Sequence, residues 1–182
     1  MERSLLRPAG WLLLPAMAAG LLAGCGQDEA DDDQIQPVRA EEVAPILPAL
    51  EAITGADVST LDPATMNDAE ITKALGAGLR CLFRYTGFGE PVLAVNRQPA
   101  GTIGDGVVKV NGNLIVLAGA MAEDGAGLGM VLARDPIRIA VSPDRDGEAW
   151  AQDDMLRQEA VMVFQIGQSL EVGYRGYLDC AT

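Results

Sequence analysis

The sequence predicts a mainly β fold, α+β overall: an antiparallel small barrel or closed sandwich of about seven strands, preceded by one or two short helices. Three observations carry that reading. From residue 79 onward the apolar residues recur with a period of two, the spacing of a strand with one dry face. Gly, Asn and Asp residues punctuate these runs, as in Asn111-Gly112-Asn113. Cys81 and Cys180 fall on the apolar faces of the first and last runs. The chain has 182 residues, 49% hydrophobic and 21% charged, enough for one core of ordinary size.

Residues 1–24 read as an export signal. Arg3 and Arg7 supply the positive start, and residues 10–21 are apolar and uncharged. That run is too short to span a bilayer, which takes ~20 apolar residues. Leu22-Ala23-Gly24-Cys25 resembles the lipobox of bacterial lipoproteins. The resemblance implies cleavage before Cys25, acylation of its thiol, and anchorage to a membrane by several acyl chains, where one alone binds marginally. Gly26 follows the cysteine in place of the Asp that resembles an inner-membrane retention signal. The expected location is therefore the periplasmic face of the outer membrane, with the inner membrane as the alternative. With Cys25 taken by lipid, Cys81 and Cys180 remain. An even pair in an oxidising compartment reads as a disulfide, two unpaired buried thiols being the alternative. A bridge needs Cα atoms within about 7 Å. The first and last strands would then lie side by side and the sheet would close.

Residues 25–40 read as an acidic tether. Asp28, Glu29, Asp31, Asp32 and Asp33 repel one another and have little apolar surface to bury. Residues 41–78 read as a short helical segment. Val43, Leu47, Leu50 and Ile53 have rough helical spacing, but Pro45 and Pro48 delay the start and Gly55 ends it. Asn67, with Glu70 three residues on, predicts the N-terminus of a second helix that stops at Gly76.

Residues 79–182 read as the β domain. Strands are expected at residues 79–86, 91–96, 107–110, 114–117, 130–133 and 137–141, then in a last hairpin of residues 159–166 and 169–180. Asn111-Gly112 supplies the positive φ angles of a tight hairpin turn. In the last strand Leu170, Val172, Tyr174, Gly176, Leu178 and Cys180 share the dry face. Ser169, Glu171, Gly173, Arg175, Tyr177 and Asp179 share the wet one.

Charge and composition narrow the chemistry. Lys plus Arg is 13 against 26 Asp plus Glu, a formal net charge of −13. That excludes a general nucleic-acid binder, which needs a cationic face. Most of the excess lies before residue 79, and the β domain is closer to balance. There is no histidine, so Ser-His-Asp and Cys-His nucleophiles and His-containing metal sites are excluded. Lys109 is expected on the solvated face of a hairpin strand. Two Gly-rich runs, residues 101–106 and 125–129, lack the Gly-Lys-Ser/Thr of a phosphate loop and read as flexible strand connections.

Asp144, Asp146 and Asp153, spaced around Gly147 in the Ser142-Pro143-Asp144-Arg145-Asp146-Gly147 segment, partly match a calcium loop; an Asp/Gly turn is the plainer reading. Asp153-Asp154 reads as part of a polar loop. Trp150 stands in a polar stretch and is the one aromatic that could anchor a ligand, a barrel-end cap being the alternative. No cofactor is expected.

These features predict a Gram-negative envelope lipoprotein with a non-enzymatic binding or structural module. Its partners would be the membrane, through the lipid anchor, and an envelope protein. The ending Tyr174-Arg175-Gly176-Tyr177-Leu178-Asp179-Cys180, together with Cys25 and the β pattern, resembles the closing strand of the membrane-bound C-type lysozyme inhibitors. That resemblance implies a lysozyme-inhibitor-like activity, although the family's Ser-x-Gly-x-x-Tyr loop is absent here. Two further readings are a calcium-stabilised periplasmic module built on Asp144 and a cell-wall enzyme with facing Asp and Glu side chains in a cleft.

Overall fold

Period-two alternation becomes a closed barrel. A computed structural model of the chain describes residues 42–98, 102–121, 129–144, 146–147, 149–152 and 154–182. The expected export signal, Cys25, the acidic run, Asp153 and most of the 125–129 glycine run lie outside the described residues. Among the described residues the strands are β1 (Arg80–Arg84), β2 (Leu93–Arg97), β3 (Ile103–Val110), β4 (Asn113–Met121), β5 (Met130–Arg134), β6 (Ile137–Pro143), β7 (Ala149–Gln152), β8 (Met155–Ile166) and β9 (Leu170–Ala181). They are ordered β6-β5-β4-β3-β2-β1-β9-β8-β7, and an additional β6–β8 pairing closes eight of them into a ring. Every pairing is antiparallel.

The eight-strand ring is close to the expected seven, and β7 is the addition. It continues the line of β6 along one edge of β8. Pro143 pairs with Ala160 and Ala149 with Gln158, so Glu159 alone faces the bulging segment between them.

An eight-stranded ring is just wide enough for side chains to fill. Phe83, Leu93, Val108, Ile115, Leu117, Leu132, Ile139, Met162 and Phe164 are fully buried within it. Each such side chain contributes ~1.5–3 kcal/mol of transfer free energy. The barrel is therefore a packed core and not a pore.

Two helices precede the strands, each placed by a local rule. Pro48 N-caps α1 (Ala49–Ile53), whose Ala49, Ala52 and Ile53 join the inner core together with Leu61. A single 3-10 turn, Val58–Thr60, follows. In α2 (Asp68–Leu75) the Asn67 side chain accepts from the Glu70 N–H while the Glu70 carboxylate accepts from the Asn67 N–H, the expected capping box. Ile71 of α2, with Met66 and Ala44, packs on the outer face of the barrel against Ala94, Val107 and Leu114.

The segment before α1 also closes an edge. The Leu114 N–H donates to Pro45 O at 2.8 Å and the Leu47 N–H to Leu114 O at 2.9 Å. This covers the stretch of β4 that β5 leaves unpaired, the kind of edge that otherwise invites aggregation.

Cys81 and Cys180 are register partners across β1 and β9, with Sγ atoms 2.05 Å apart and Cα atoms 4.0 Å apart. The expected disulfide is present and joins the first strand to the last.

Three local expectations are corrected. Residues 103–106 belong to β3 and not to a flexible connection. A Cβ at Gly104 would lie 3.1 Å from Asn96 O, and one at Gly106 would lie 2.9 Å from a Leu132 methyl, so these glycines permit close packing. β8 starts at Met155, four residues earlier than expected. Lys109 is not freely solvated but half-buried, because α2 lies over that outer face and Lys109 Nζ donates to Glu70 Oε1 at 2.8 Å.

Candidate functional site

Alternation places Tyr177 and Asp179 on the outer face of β9, with Arg157 of β8 and Arg84 of β1 on either side. Asp179 is only 4% exposed. A buried carboxylate needs compensation, and here two guanidiniums supply it. Arg157 donates from Nε to Asp179 Oδ1 at 2.5 Å and from Nη2 to Oδ2 at 2.6 Å, a forked, charge-assisted pair. Arg84 Nε donates to Oδ2 at 3.2 Å, and Arg84 Nη1 donates to Gly89 O at 2.5 Å. Hydrogen bonding to Asp179 pushes the Arg157 pKa up, against the effect of its partial burial. Two cations around one anion leave the Arg84–Asp179–Arg157 triad with one net positive charge.

The clamped Arg157 organises the aromatics. Its guanidinium carbon lies 5.8 Å from the centre of the Tyr177 ring, within cation–π range. Trp150 on β7 is the cross-strand partner of Arg157 and meets Tyr177 edge to face, with ring centres 6.1 Å apart and planes at 73°. Trp150 keeps 40% of its surface exposed. It sits on β7, the strand added beside the ring, where the sequence shows only a polar stretch. The loop between β1 and β2 reaches the same place, since a Cβ at Gly87 would lie 3.6 Å from Arg157 Nη1. Its next residue, Phe88, is fully exposed.

Tyr177 also lines a cleft of ≈ 260 Å³ with Tyr85, Asp144, Glu159 and Arg175. The Asp144 N–H donates to Glu159 O at 2.8 Å. A Cβ at Gly147 would lie 3.2 Å from the Cβ atoms of both Asp144 and Glu159, so two carboxylate-bearing residues flank one glycine at the cleft. The phenols nearby are held as neutral donors. Tyr85 Oη donates to Pro63 O at 3.1 Å, and burial, aided by the Asp62 charge, raises its pKa to about 12. Tyr174 Oη donates to Asp62, and burial with that bond raises its pKa further.

The sequence-predicted residues fare differently. Trp150 and Asp144 come together on this face, one on β7 and the other at the bulge before it. Asp144 Oδ1 accepts the Asp146 N–H at 3.2 Å, and Asp144 O accepts the Gly147 N–H at 3.2 Å. Asp153, the third suggested calcium ligand, lies outside the described residues, as does Cys25. Among the described residues no group of three or more His, Cys, Asp or Glu side chains is placed to hold a metal ion.

Sequence reasoning misses Arg84, Arg157, Tyr177, Asp179 and Phe88 as a group. A signal exists nonetheless. Once Cys81 is set opposite Cys180, Asp179 must face Leu82 and sit beside Arg84.

No curated protein and no solved structure matches the chain. Over residues 21–182 it matches the Domain of unknown function (DUF6692) family, a span that takes in Cys25 and the whole barrel, and the chain belongs to that family.

Proposed function

We propose that this protein is a lipid-anchored envelope protein, held by Cys25, whose barrel is a non-enzymatic binding module that presents the Trp150 face to a partner. The observation that carries the reading is the preorganised cluster itself. Asp179 fixes Arg157, Arg157 underlies Tyr177, Trp150 stands exposed beside them, and Phe88 is exposed on the loop that reaches Arg157. Trp, Tyr and Arg dominate the energetics of binding surfaces. The filled barrel interior supports the same reading, because a ligand has to be met on the outside. The disulfide supports an oxidising compartment, and the lipobox resemblance supports the anchor.

Trp150 is the only tryptophan after residue 25, so its fluorescence reads the face directly. Titrating the mature chain with envelope membrane fractions is expected to shift its emission to the blue. Tyr177→Ala and Phe88→Ser should each weaken the binding about tenfold. Unchanged emission, or binding indifferent to both variants, overturns the binding reading. A C-type lysozyme used as probe in the same titration tests the inhibitor resemblance. Palmitate labelling in cells, lost in Cys25→Ala, tests the anchor separately.

A second reading rests on the cleft. Asp144 and Glu159 both line it and flank Gly147, and polymer hydrolysis commonly uses a pair of carboxyl groups across the scissile bond. Release of reducing ends from isolated cell-wall polymer, abolished in Glu159→Gln, is the result that would favour it.

A further inference from the structure

We propose that β9 carries a self-complementary edge through which two copies of this chain pair antiparallel across Gly173. β9 is paired with β8 along its whole length, but with β1 only from Tyr177 to Cys180. Beyond Tyr177 the β1 side of β9 has no strand beside it among the described residues.

The orientation of the unpaired groups follows from the register. Cys81 and Cys180 stand 4.0 Å apart at Cα, the close spacing of a non-hydrogen-bonded pair. The pairs that exchange hydrogen bonds across this seam are therefore Leu82–Asp179 and Arg84–Tyr177. Phe83 O accepts from Val92 on the opposite side, in agreement. At steps of two from Tyr177, the N–H and C=O groups of Arg175, Gly173 and Glu171 point to the open edge. All three residues are exposed.

This edge matches itself. In an antiparallel pair with its two-fold axis at Gly173, Glu171 of one copy lies opposite Arg175 of the other, twice, and Gly173 lies opposite Gly173. Each of the three pairs exchanges both backbone bonds. Opposite charges directly across an antiparallel pair are stabilising, and like charges there are destabilising. The axis is clear of the chain's own side chains, since nothing lies within 4 Å of a Cβ built at Gly173.

The side-chain network on the outer face points the same way. Arg138 donates to Gln165, and Gln165 donates to Glu171 Oε2 at 2.6 Å. This row crosses β6, β8 and β9 and ends in an anion at the open edge, where Arg175 of a second copy would continue it. Arg175 has no ion pair among the described residues. An isologous contact of this kind closes as a dimer and does not propagate. Confinement of anchored chains to one membrane would raise their effective concentration, but the pairing does not depend on the anchor.

The test is cysteine cross-linking of the full-length chain in cells, treated with a mild oxidant and read on a non-reducing gel. Gly173→Cys should give a disulfide-linked band at twice the monomer mass. Glu171→Cys, placed away from the axis, should not. Adding Glu171→Arg to Gly173→Cys sets like charges opposite each other and should cut the dimer band about tenfold. Adding Arg175→Glu as well exchanges the charges and should restore it. That restoration also shows that the intermediate variant failed through charge and not through misfolding. Absence of the dimer band in Gly173→Cys, a band whose mass fits a different protein, or a dimer band indifferent to the charge reversal would each overturn the proposal.

Discussion

Asp179 shows how one residue can hold a surface in place. Its burial is tolerated only because Arg157 and Arg84 surround it. Asp179→Asn keeps the size and removes the anion, leaving two guanidiniums close together without it. Breaking a fully buried pair costs about 3–5 kcal/mol, but both arginine side chains are about one-fifth exposed. A loss of about 1–3 kcal/mol is expected, measured as a fall in the urea midpoint. Arg157 would also lose its fixed place beneath Tyr177, so Trp150 emission should move to the red. Trp150→Ala should behave in the opposite way. It sits half-exposed on β7, so stability should change by less than about 1 kcal/mol, while binding to envelope fractions falls. A variant pair that failed to separate in this manner would mean that the cluster is scaffold and not surface.

At the level of elements, α2 is fastened by its buried acid. Glu70 accepts from Lys109 Nζ at 2.8 Å, from the Asn67 N–H at 3.1 Å and from the Ala44 N–H at 3.3 Å. Burial acts to raise its pKa, but the Lys109 ammonium and the two N–H donors outweigh it and hold the value below the ordinary 4.5. The folded state thus binds this proton less readily than the unfolded chain. Its stabilisation is complete above the ordinary value and fades as pH falls through the lower folded one. Urea midpoints of the natural chain should drop between about pH 5 and about pH 3 more steeply than those of Glu70→Gln. Equal slopes would show that the ion pair does not hold the helix.

The capping box is legible in the sequence because Asn67 and Glu70 obey a local rule. The burial of Glu70 is not, since period-two alternation says that Lys109 points outward but not that a helix lies over it. The β3–β4 contact escapes the sequence for a similar reason. A run of glycines looks the same in a loop and in a close crossing. Here a Cβ at Gly119 would run into Gly104 O, a collision with backbone that cannot swing aside. Gly119→Ala should therefore destabilise by about 2–3 kcal/mol, visible as a lowered thermal midpoint. A neutral outcome would return this stretch to the flexible connection that the sequence suggests.

Across the whole molecule, connections along the chain mostly join strands that are also neighbours in the barrel, so the alternation pattern and the turn signals suffice to give most of the ring. What they do not give is closure, because nothing local in β1 or β9 says that the two meet. Cysteine counting supplies it, and the two residues are direct register partners. β7 is illegible for the converse reason. Four residues without alternation gain strand geometry only because β8 extends past β6 and offers them an edge. The seam that closes the barrel is also its shortest contact on β9. β1 meets β9 only from Cys81 to Arg84, whereas β8 accompanies β9 from end to end. The disulfide spans 99 residues of chain. Loop-closure entropy makes such a link worth ~4–5 kcal/mol through the unfolded state. Replacing both cysteines with Ala should lower unfolding stability by about that amount, and reducing the natural chain should have the same effect. The loss should be larger than for Asp179→Asn, although both changes touch the same seam. If the reduced chain and the double variant unfold at the same urea concentration as the oxidised chain, β1 and β9 hold together by pairing and packing alone, and the covalent link is not what keeps this barrel closed.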